Sequence, residues 1–331
     1  MRIGLVGAGA VARHHLTALQ DHPEAEVGAV GDLDRSRAER VAAETGARAY
    51  TDWGEMLERE RLDAVLVCTP PAAHAAPVLA AFERGLDVYL EKPLARSLAD
   101  GERIVAAWQA AGTVCAVGYQ WRSLDLVDRL RAELAGAASM LVSRSIGPTE
   151  PGRGDGSSWF ADPEASGGIL FELGSHDIDL QCALSGPVAE VHAISARGVL
   201  APPGTRGAGL DDAVGVVMRF AGGGLGMLAL AWSDVQRPPV YALDVLSPEV
   251  SLHIDLDPAF RLHGRAHGAD VDVPAAVDPR RASIARFLEA AGGAGQGRVP
   301  CSPADALETL RAALAAETAI ATGRPVEVGE D

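Results

Sequence analysis

Three stretches of this chain carry residue types that can do chemistry at the spacing found. The first is Gly7-Ala-Gly-Ala-Val-Ala12, directly behind the apolar run Arg2 to Val6. Gly7 permits a tight turn, Gly9 lets an anionic group approach the backbone, and Ala12 lets the next helix pack close to the strand. Free N–H groups over Gly7, Ala8, Gly9, Ala10 and Val11 then face a pyrophosphate. A second apolar run, Glu26 to Gly31, ends at Asp32, near the spacing at which an acid accepts hydrogen bonds from an adenine ribose. The second stretch is Glu91-Lys92-Pro93. An ammonium held beside a proline can bind a hydroxyl oxygen and stabilise the negative charge that grows there as hydride leaves. The third is Glu172, His176 and Asp179. On a helix these are i, i+4 and i+7, one face, where a carboxylate fixes the tautomer of an imidazole that serves as general base.

Those groups need a scaffold. Helices are expected over Val11–Leu19, Arg35–Glu44, Ala75–Arg84 and Ser97–Ala111. Between them lie apolar strand-like runs at Glu26–Gly31, Asp63–Cys68, Asp87–Leu90 and Thr113–Val117. Alternating strand and helix imply a parallel sheet wound on both faces. Ligands of such sheets sit past the carboxyl ends of the strands, where Gly7, Asp32, Thr69, Lys92 and Tyr119 all fall. His14 and His15 read as surface or packing residues of the first helix.

Gly7-Ala-Gly-Ala-Val-Ala12, Thr69-Pro70 with His74 after it, Glu91-Lys92-Pro93 and Val117-Gly-Tyr-Gln-Trp-Arg122 come in an order and spacing that resembles the glucose–fructose oxidoreductase and inositol dehydrogenase family, called Gfo/Idh/MocA. Ala-Thr-Gly-Arg-Pro-Val-Glu-Val near the end is also similar. The resemblance implies an NAD(P)-dependent oxidoreductase of polyols, sugars or cyclitols. It implies Lys92, His176 and Glu172 as catalytic groups, with Lys92 and His176 sharing one substrate oxygen. Thr69, Pro70, His74, Glu91 and Lys92 join the fingerprint residues around the cofactor, and Tyr119, Gln120, Arg122, Trp159 and Asp179 line the substrate. Family members usually carry Asp where Glu172 stands here, so the carboxylate is displaced by one methylene. A non-catalytic NAD(P)-binding sensor and a redox-assisted hydrolase or eliminase are the alternatives. Asp32 favours NAD, because a 2′-phosphate about 4 Å away would meet a repulsion of order 4 kcal/mol. NADP stays the alternative, since Arg35 and Arg37 could offset part of that term.

After residue 122 the pattern changes. Strand character recurs at 139–146, 188–196, 213–220, 225–232, 240–246 and 250–256, with Ala221-Gly-Gly-Gly224 as a hairpin turn. The expected architecture is α/β: a Rossmann domain over 1–121, then an α+β domain over 122–331 with a largely antiparallel, open-faced sheet. The last helix, 303–321, is expected to pack back on the first domain. Met227-Leu-Ala-Leu-Ala-Trp232 is apolar on both faces, so the second face should be covered by a partner subunit in a homodimer or homotetramer.

The formal net charge of −16 over 331 residues argues against nucleic acid or an anionic membrane as partner. The chain opens straight into the first strand without a charged n-region and h-region, which points to the cytoplasm. Cys68, Cys115, Cys182 and Cys301 are far apart and read as buried free thiols. No metal is expected: the Glu172–His176–Asp179 face offers three donors and nothing nearby supplies the usual fuller set.

Overall fold

The computed structural model describes residues 1–134, 136, 138–147, 162–198, 210–233, 239–293 and 298–329. The helices are α1 (Ala10–Leu19), α2 (Arg35–Thr45), α3 (Trp53–Arg59), α4 (Ala75–Glu83), α5 (Leu98–Ala111), α6 (Asp125–Leu134), α7 (Pro163–Ser166), α8 (Ser175–Ser185), α9 (Pro279–Ala291) and α10 (Pro303–Thr322). The strands of the first half are β1 (Arg2–Val6), β2 (Glu26–Gly31), β3 (Arg48–Tyr50), β4 (Ala64–Val67), β5 (Asp87–Leu90) and β6 (Cys115–Val117). Those of the second half are β7 (Met140–Gly147), β8 (Val188–Arg197), β9 (Asp211–Phe220), β10 (Leu225–Trp232), β11 (Val240–Ser247), β12 (Val250–Asp257), β13 (Arg261–Ala266), β14 (Ala269–Pro274) and β15 (Val326–Glu327). The chain divides into two compact units, residues 1–123 with 278–307, and residues 124–277 with 308–331.

In the first unit the described strands form a six-stranded parallel sheet in the order β3-β2-β1-β4-β5-β6, the Rossmann order with its switch point between β1 and β4. Helix boundaries follow local chemistry. Asp34, Asp52, Ser97 and Asp278 accept first-turn N–H groups of α2, α3, α5 and α9, and Gly46 and Gly112 close α2 and α5 in the left-handed region. The core joins Ile3, Leu5, Val30, Leu66 and Tyr89 of the strands to Ala12 and Leu19 of α1 and to Ile284, Phe287 and Leu288 of α9. Tyr89 donates to or accepts from Ser283 Oγ at 2.9 Å and meets Phe287 edge-on at 5.6 Å. Helix α9, far along the chain, is thus built into the first unit, which a single cut after residue 121 does not capture. The boundary near residue 307 falls inside α10.

In the second unit the described strands form a nine-stranded sheet, β14-β13-β12-β11-β7-β10-β9-β8-β15. Its pairs are antiparallel except β7 with β10, which run parallel. Burial alternates strictly along β9 and β10, so one face is covered and the other open. Ile194, Val217, Leu225, Met227 and Leu246 are large apolar side chains exposed on this chain. The covered face carries α8 and the π turn Leu170–Gly174 that leads into it. Gly174 lies in that turn because a Cβ there would stand 2.7 Å from Leu230 of β10. Among the described residues no helix is long and apolar enough to cross a membrane.

Candidate active site

The parallel register brings the expected residues of the first unit to one edge. Val6 pairs with Gly31 and Val67, Val67 with Leu90, and Leu90 with Val117, so the strands end level. Gly7, Asp32, Thr69, Glu91-Lys92 and Tyr119 follow those ends. Gly7 has φ +91°, and a Cβ on it would lie 2.7 Å from the Cys68 carbonyl oxygen, so both backbone conformation and the approach of the β4 turn demand glycine. Helix α1 then opens on Gly9 at its N-cap with Ala10, Val11 and Ala12 in its first turn. Small side chains and a positive helix end make a cradle that fits a pyrophosphate. Asp32 accepts the Ala8 N–H and the Asp34 N–H, each at 2.8 Å, with Arg37 Nε 3.3 Å away. A carboxylate has roughly four lone-pair positions. Two backbone bonds therefore aim Asp32 and leave acceptor capacity for ribose hydroxyls. Arg37, rather than Arg35, is the guanidinium on this carboxylate; Arg35 reaches Glu39. Leu33, which no sequence signal marked, stands 90% exposed beside Asp32 and offers an apolar surface at that point.

The turn after β5 is held from beneath. Glu91 Oε1 lies 2.5 Å from His15 Nε2, and Glu91 Oε2 accepts the Lys92 N–H at 3.1 Å. Burial pushes the Glu91 carboxyl up, yet the His15 hydrogen bond and the positive charges of His15 and Lys92 outweigh it, and the net shift is downward. Gly118 completes this packing, since a Cβ there would lie 3.3 Å from both Glu91 oxygens. His15 is a buried residue on the same side of α1 as Ala12, Ala18 and Leu19, so it belongs to this site rather than to the surface. The spacing from Ala12 was the available sign. His74 differs from the expected cofactor contact. It is fully buried, its Nε2 lies 2.9 Å from the Thr69 carbonyl and its Nδ1 2.9 Å from the Pro93 carbonyl. Burial lowers its pKa, with the two carbonyls pulling the other way. It ties the turn at Thr69-Pro70 to the turn at Lys92, whose peptide bond to Pro93 is cis.

Lys92 and Gln120 are partly exposed, whereas Tyr119 is 2% and Arg122 5% exposed. Arg122 Nη1 lies 3.5 Å from Asp305 Oδ1, so it braces the start of α10 within the first unit. Tyr119 and Arg122 are built into the wall rather than presented on it.

In the second unit Glu172 sits in the π turn and His176 in the first turn of α8. Both are partly exposed, while Asp179 is 1% exposed and accepts from Thr309 Oγ1 at 3.1 Å. The single helical face expected for all three is therefore split. Asp179 turns inward within α8, while Glu172 in the π turn and His176 stay on the accessible side. Helix α8 is otherwise buried except at Ala183, which singles out His176. Its neighbour Asp177 is fully buried towards β7 and went unmarked in the sequence. Burial raises its carboxyl to about 7, against the pull of the Ser145 and Ser143 hydroxyls. Gln181 Nε2 donates to Ser143 Oγ at 2.8 Å and to the Met227 carbonyl at 3.1 Å, locking α8 onto β7 and β10. Trp159 lies outside the described residues.

Asp177 makes stability depend on pH. Its folded-state value lies above the ordinary 3.8. The folded chain thus keeps a proton that the unfolded chain releases, and stability falls as pH rises from about 4 through about 7. Asp177→Asn removes that dependence: measured by thermal unfolding, the variant gains on the wild type from pH 5 to about pH 7 and levels off above it. A gap that does not change with pH rejects this assignment.

Comparison with known proteins gives the family. Residues 1–119 match the family described as oxidoreductase family, NAD-binding Rossmann fold, and residues 126–265 match the GFO/IDH/MocA C-terminal domain. The chain is 30% identical over 250 residues to a myo-inositol 2-dehydrogenase of Thermotoga maritima, covering 74% of this chain and 71% of that one. It is 30% identical over 196 residues to a 4-carboxy-2-hydroxymuconate-6-semialdehyde dehydrogenase of Sphingobium sp., covering 59% of this chain and 62%, less than two thirds, of that one. A solved structure of UDP-N-acetylglucosamine 3-dehydrogenase from Acidithiobacillus ferrooxidans superposes with a TM-score of 0.81 at 25% identity, over 97% of each chain. The chain belongs to the Gfo/Idh/MocA family of NAD-binding oxidoreductases.

Proposed function

We propose that this protein is an NAD-dependent dehydrogenase that oxidises a secondary hydroxyl of a polyol, sugar or cyclitol, or reduces the matching ketone. The observation that carries the reading is Lys92: partly exposed at the level edge of the parallel sheet, with Glu91, His15 and His74 fixing its turn. NAD supplies the hydride acceptor. Gly7, Ala8, Gly9, Ala10 and Val11 hold its pyrophosphate, and Asp32 takes the adenine ribose. Lys92 binds the reacting oxygen and stabilises its charge, and His176 takes its proton, with Glu172 orienting the imidazole. Thr69, Pro70 and Gln120 border the site; His74, Tyr119 and Arg122 act by position within the first unit, and Asp179 within the second. A panel of inositols, sugars and sugar acids, followed by NADH absorbance, tests the proposal. Net NADH with one of these classes supports it. Nucleotide binding without turnover of any of them favours the sensor, and turnover without net NADH the redox-assisted hydrolase.

Asp32 sets the cofactor preference. The expected kcat/KM with NAD exceeds that with NADP by roughly two orders of magnitude, because the like-charge term of order 4 kcal/mol outweighs what Arg37 returns. Asp32→Ser narrows that ratio at least about tenfold. Equal ratios in the two proteins remove Asp32 from this role.

The exposed apolar face of the sheet in the second unit supports a homodimer or homotetramer built on it. Met227→Asp places a charge in the middle of that face and is expected to yield monomers by light scattering at micromolar concentration. A wild-type chain that is already monomeric sinks this assembly. Four unbridged cysteines suit a reducing compartment, and we place the enzyme in the cytoplasm.

A further inference from the structure

The open face of the second unit carries a second set of chemical groups, on β11, β12 and β13. His253 pairs in register with Asp244 on one side and with His263 on the other. Asp255 is two residues on from His253, so it projects from the same face of β12. His253 Nε2 lies 3.3 Å from Asp255 Oδ1 and His263 Nε2 lies 3.6 Å from Asp255 Oδ2. One donor atom from each of the three residues falls within 4.8 Å of the others. The imidazole rings are tilted by 47° with centroids 4.9 Å apart. Two neutral histidines directly opposite each other are tolerable, but two protonated ones repel.

The geometry points to a binding site for a divalent transition-metal ion of the zinc class, with His253 Nε2, His263 Nε2 and an Asp255 oxygen as ligands. Ligands about 2.0–2.1 Å from a tetrahedral zinc stand about 3.3–3.5 Å apart; the two imidazoles lie 3.3 and 3.6 Å from the two Asp255 oxygens, and all three donors fall within 4.8 Å. His253 is already oriented for the task. Its Nδ1 lies 2.6 Å from Asp244 Oδ1. A neutral ring has one N–H, and Asp244 takes it. In that neutral tautomer Nε2 keeps a lone pair on the side of the Asp255 carboxylate, where the two can share a cation. This carboxylate–histidine pairing fixes the tautomer and raises the basicity of a metal-ligating imidazole. Arg261 lies across from Asp255 on β13, and its charge reaches that carboxylate. Asp272, opposite His263 on β14, binds Arg261 through both oxygens. Two imidazoles and one carboxylate select zinc, cobalt, nickel or copper over magnesium or calcium. The fourth position is open to water or to another molecule.

The test uses the whole chain, stripped with chelator and titrated with Zn²⁺ and Co²⁺ by competition with a chromophoric indicator. The expected result is one ion per chain, lost in His263→Ala and in His253→Ala. Asp244→Asn should weaken binding roughly 10- to 100-fold while leaving the ligands in place. The Co²⁺ form should show visible bands without a thiolate charge-transfer feature. Circular dichroism checks that the variants keep the fold, and a His263→Asp variant, which keeps a donor, should retain binding that His263→Ala loses. Binding unchanged in both histidine variants, a thiolate band, or no saturable binding below millimolar metal overturns the proposal.

Discussion

Lys92→Ala lowers kcat by roughly 10²–10³-fold while leaving the affinity for NAD nearly intact. The Lys92 ammonium follows the end of β5 at the sheet edge, so in the proposed site its loss falls on the charge that develops on the reacting oxygen. That is an interaction made more strongly in the transition state than in the ground state, and such losses appear in kcat rather than in cofactor binding. In the proposed site Asp32 and the N-terminus of α1 would hold the nucleotide independently of Lys92. Lys92→Arg should not restore the rate, because a planar fork cannot occupy the place of a compact ammonium on a turn pinned by Glu91. The measurement is steady-state kinetics beside nucleotide titration by fluorescence. A variant that turns over at the wild-type rate ends the assignment of Lys92.

The first unit was legible because its chemistry is local. The glycine fingerprint, the acid after the second strand and the Glu-Lys-Pro turn lie at strand ends, and a parallel sheet must bring those ends level. What stayed hidden depends on distance along the chain. His15 reads as an ordinary helix residue until β5 sets Glu91 against it. Helix α9 carries no mark that it belongs with β5, although Ser283 and Phe287 close on Tyr89. β3 is three residues long, too short to show alternation. In the second unit the strands β9 and β10 were visible from their apolar content. β13 and β14 were not, because their exposed positions carry His, Arg and Asp in a pattern that resembles a loop. The three-residue face of Glu172, His176 and Asp179 assumed an ideal helix. A π turn is set by packing against β10, with Leu230 at Gly174, and no periodicity in the sequence announces it.

Of the three residues Glu172 and His176 are accessible and Asp179 is not, which makes His176→Ala the second large effect. His176 is held at the start of a helix whose other residues, Ala183 apart, are buried, and whose attachment to β7 and β10 runs through Gln181. An imidazole so placed is rigid in position and open on one side, which is what proton transfer from a hydroxyl requires. Removing it should cost roughly 10²–10⁴-fold in kcat/KM. The loss should also change shape with pH. In the wild type, kcat/KM is expected to fall towards acid as the base takes up a proton. In His176→Ala that acid limb should flatten, and added imidazole should restore part of the rate. Asp179→Asn separates this role from its neighbour's. Asp179 bonds Thr309 inside the second unit, so its substitution should lower thermal stability with little effect on the acid limb. Glu172→Gln should do the reverse, because its carboxylate stands on the accessible side with His176. An acid limb that survives in His176→Ala at full height would assign the proton to another group.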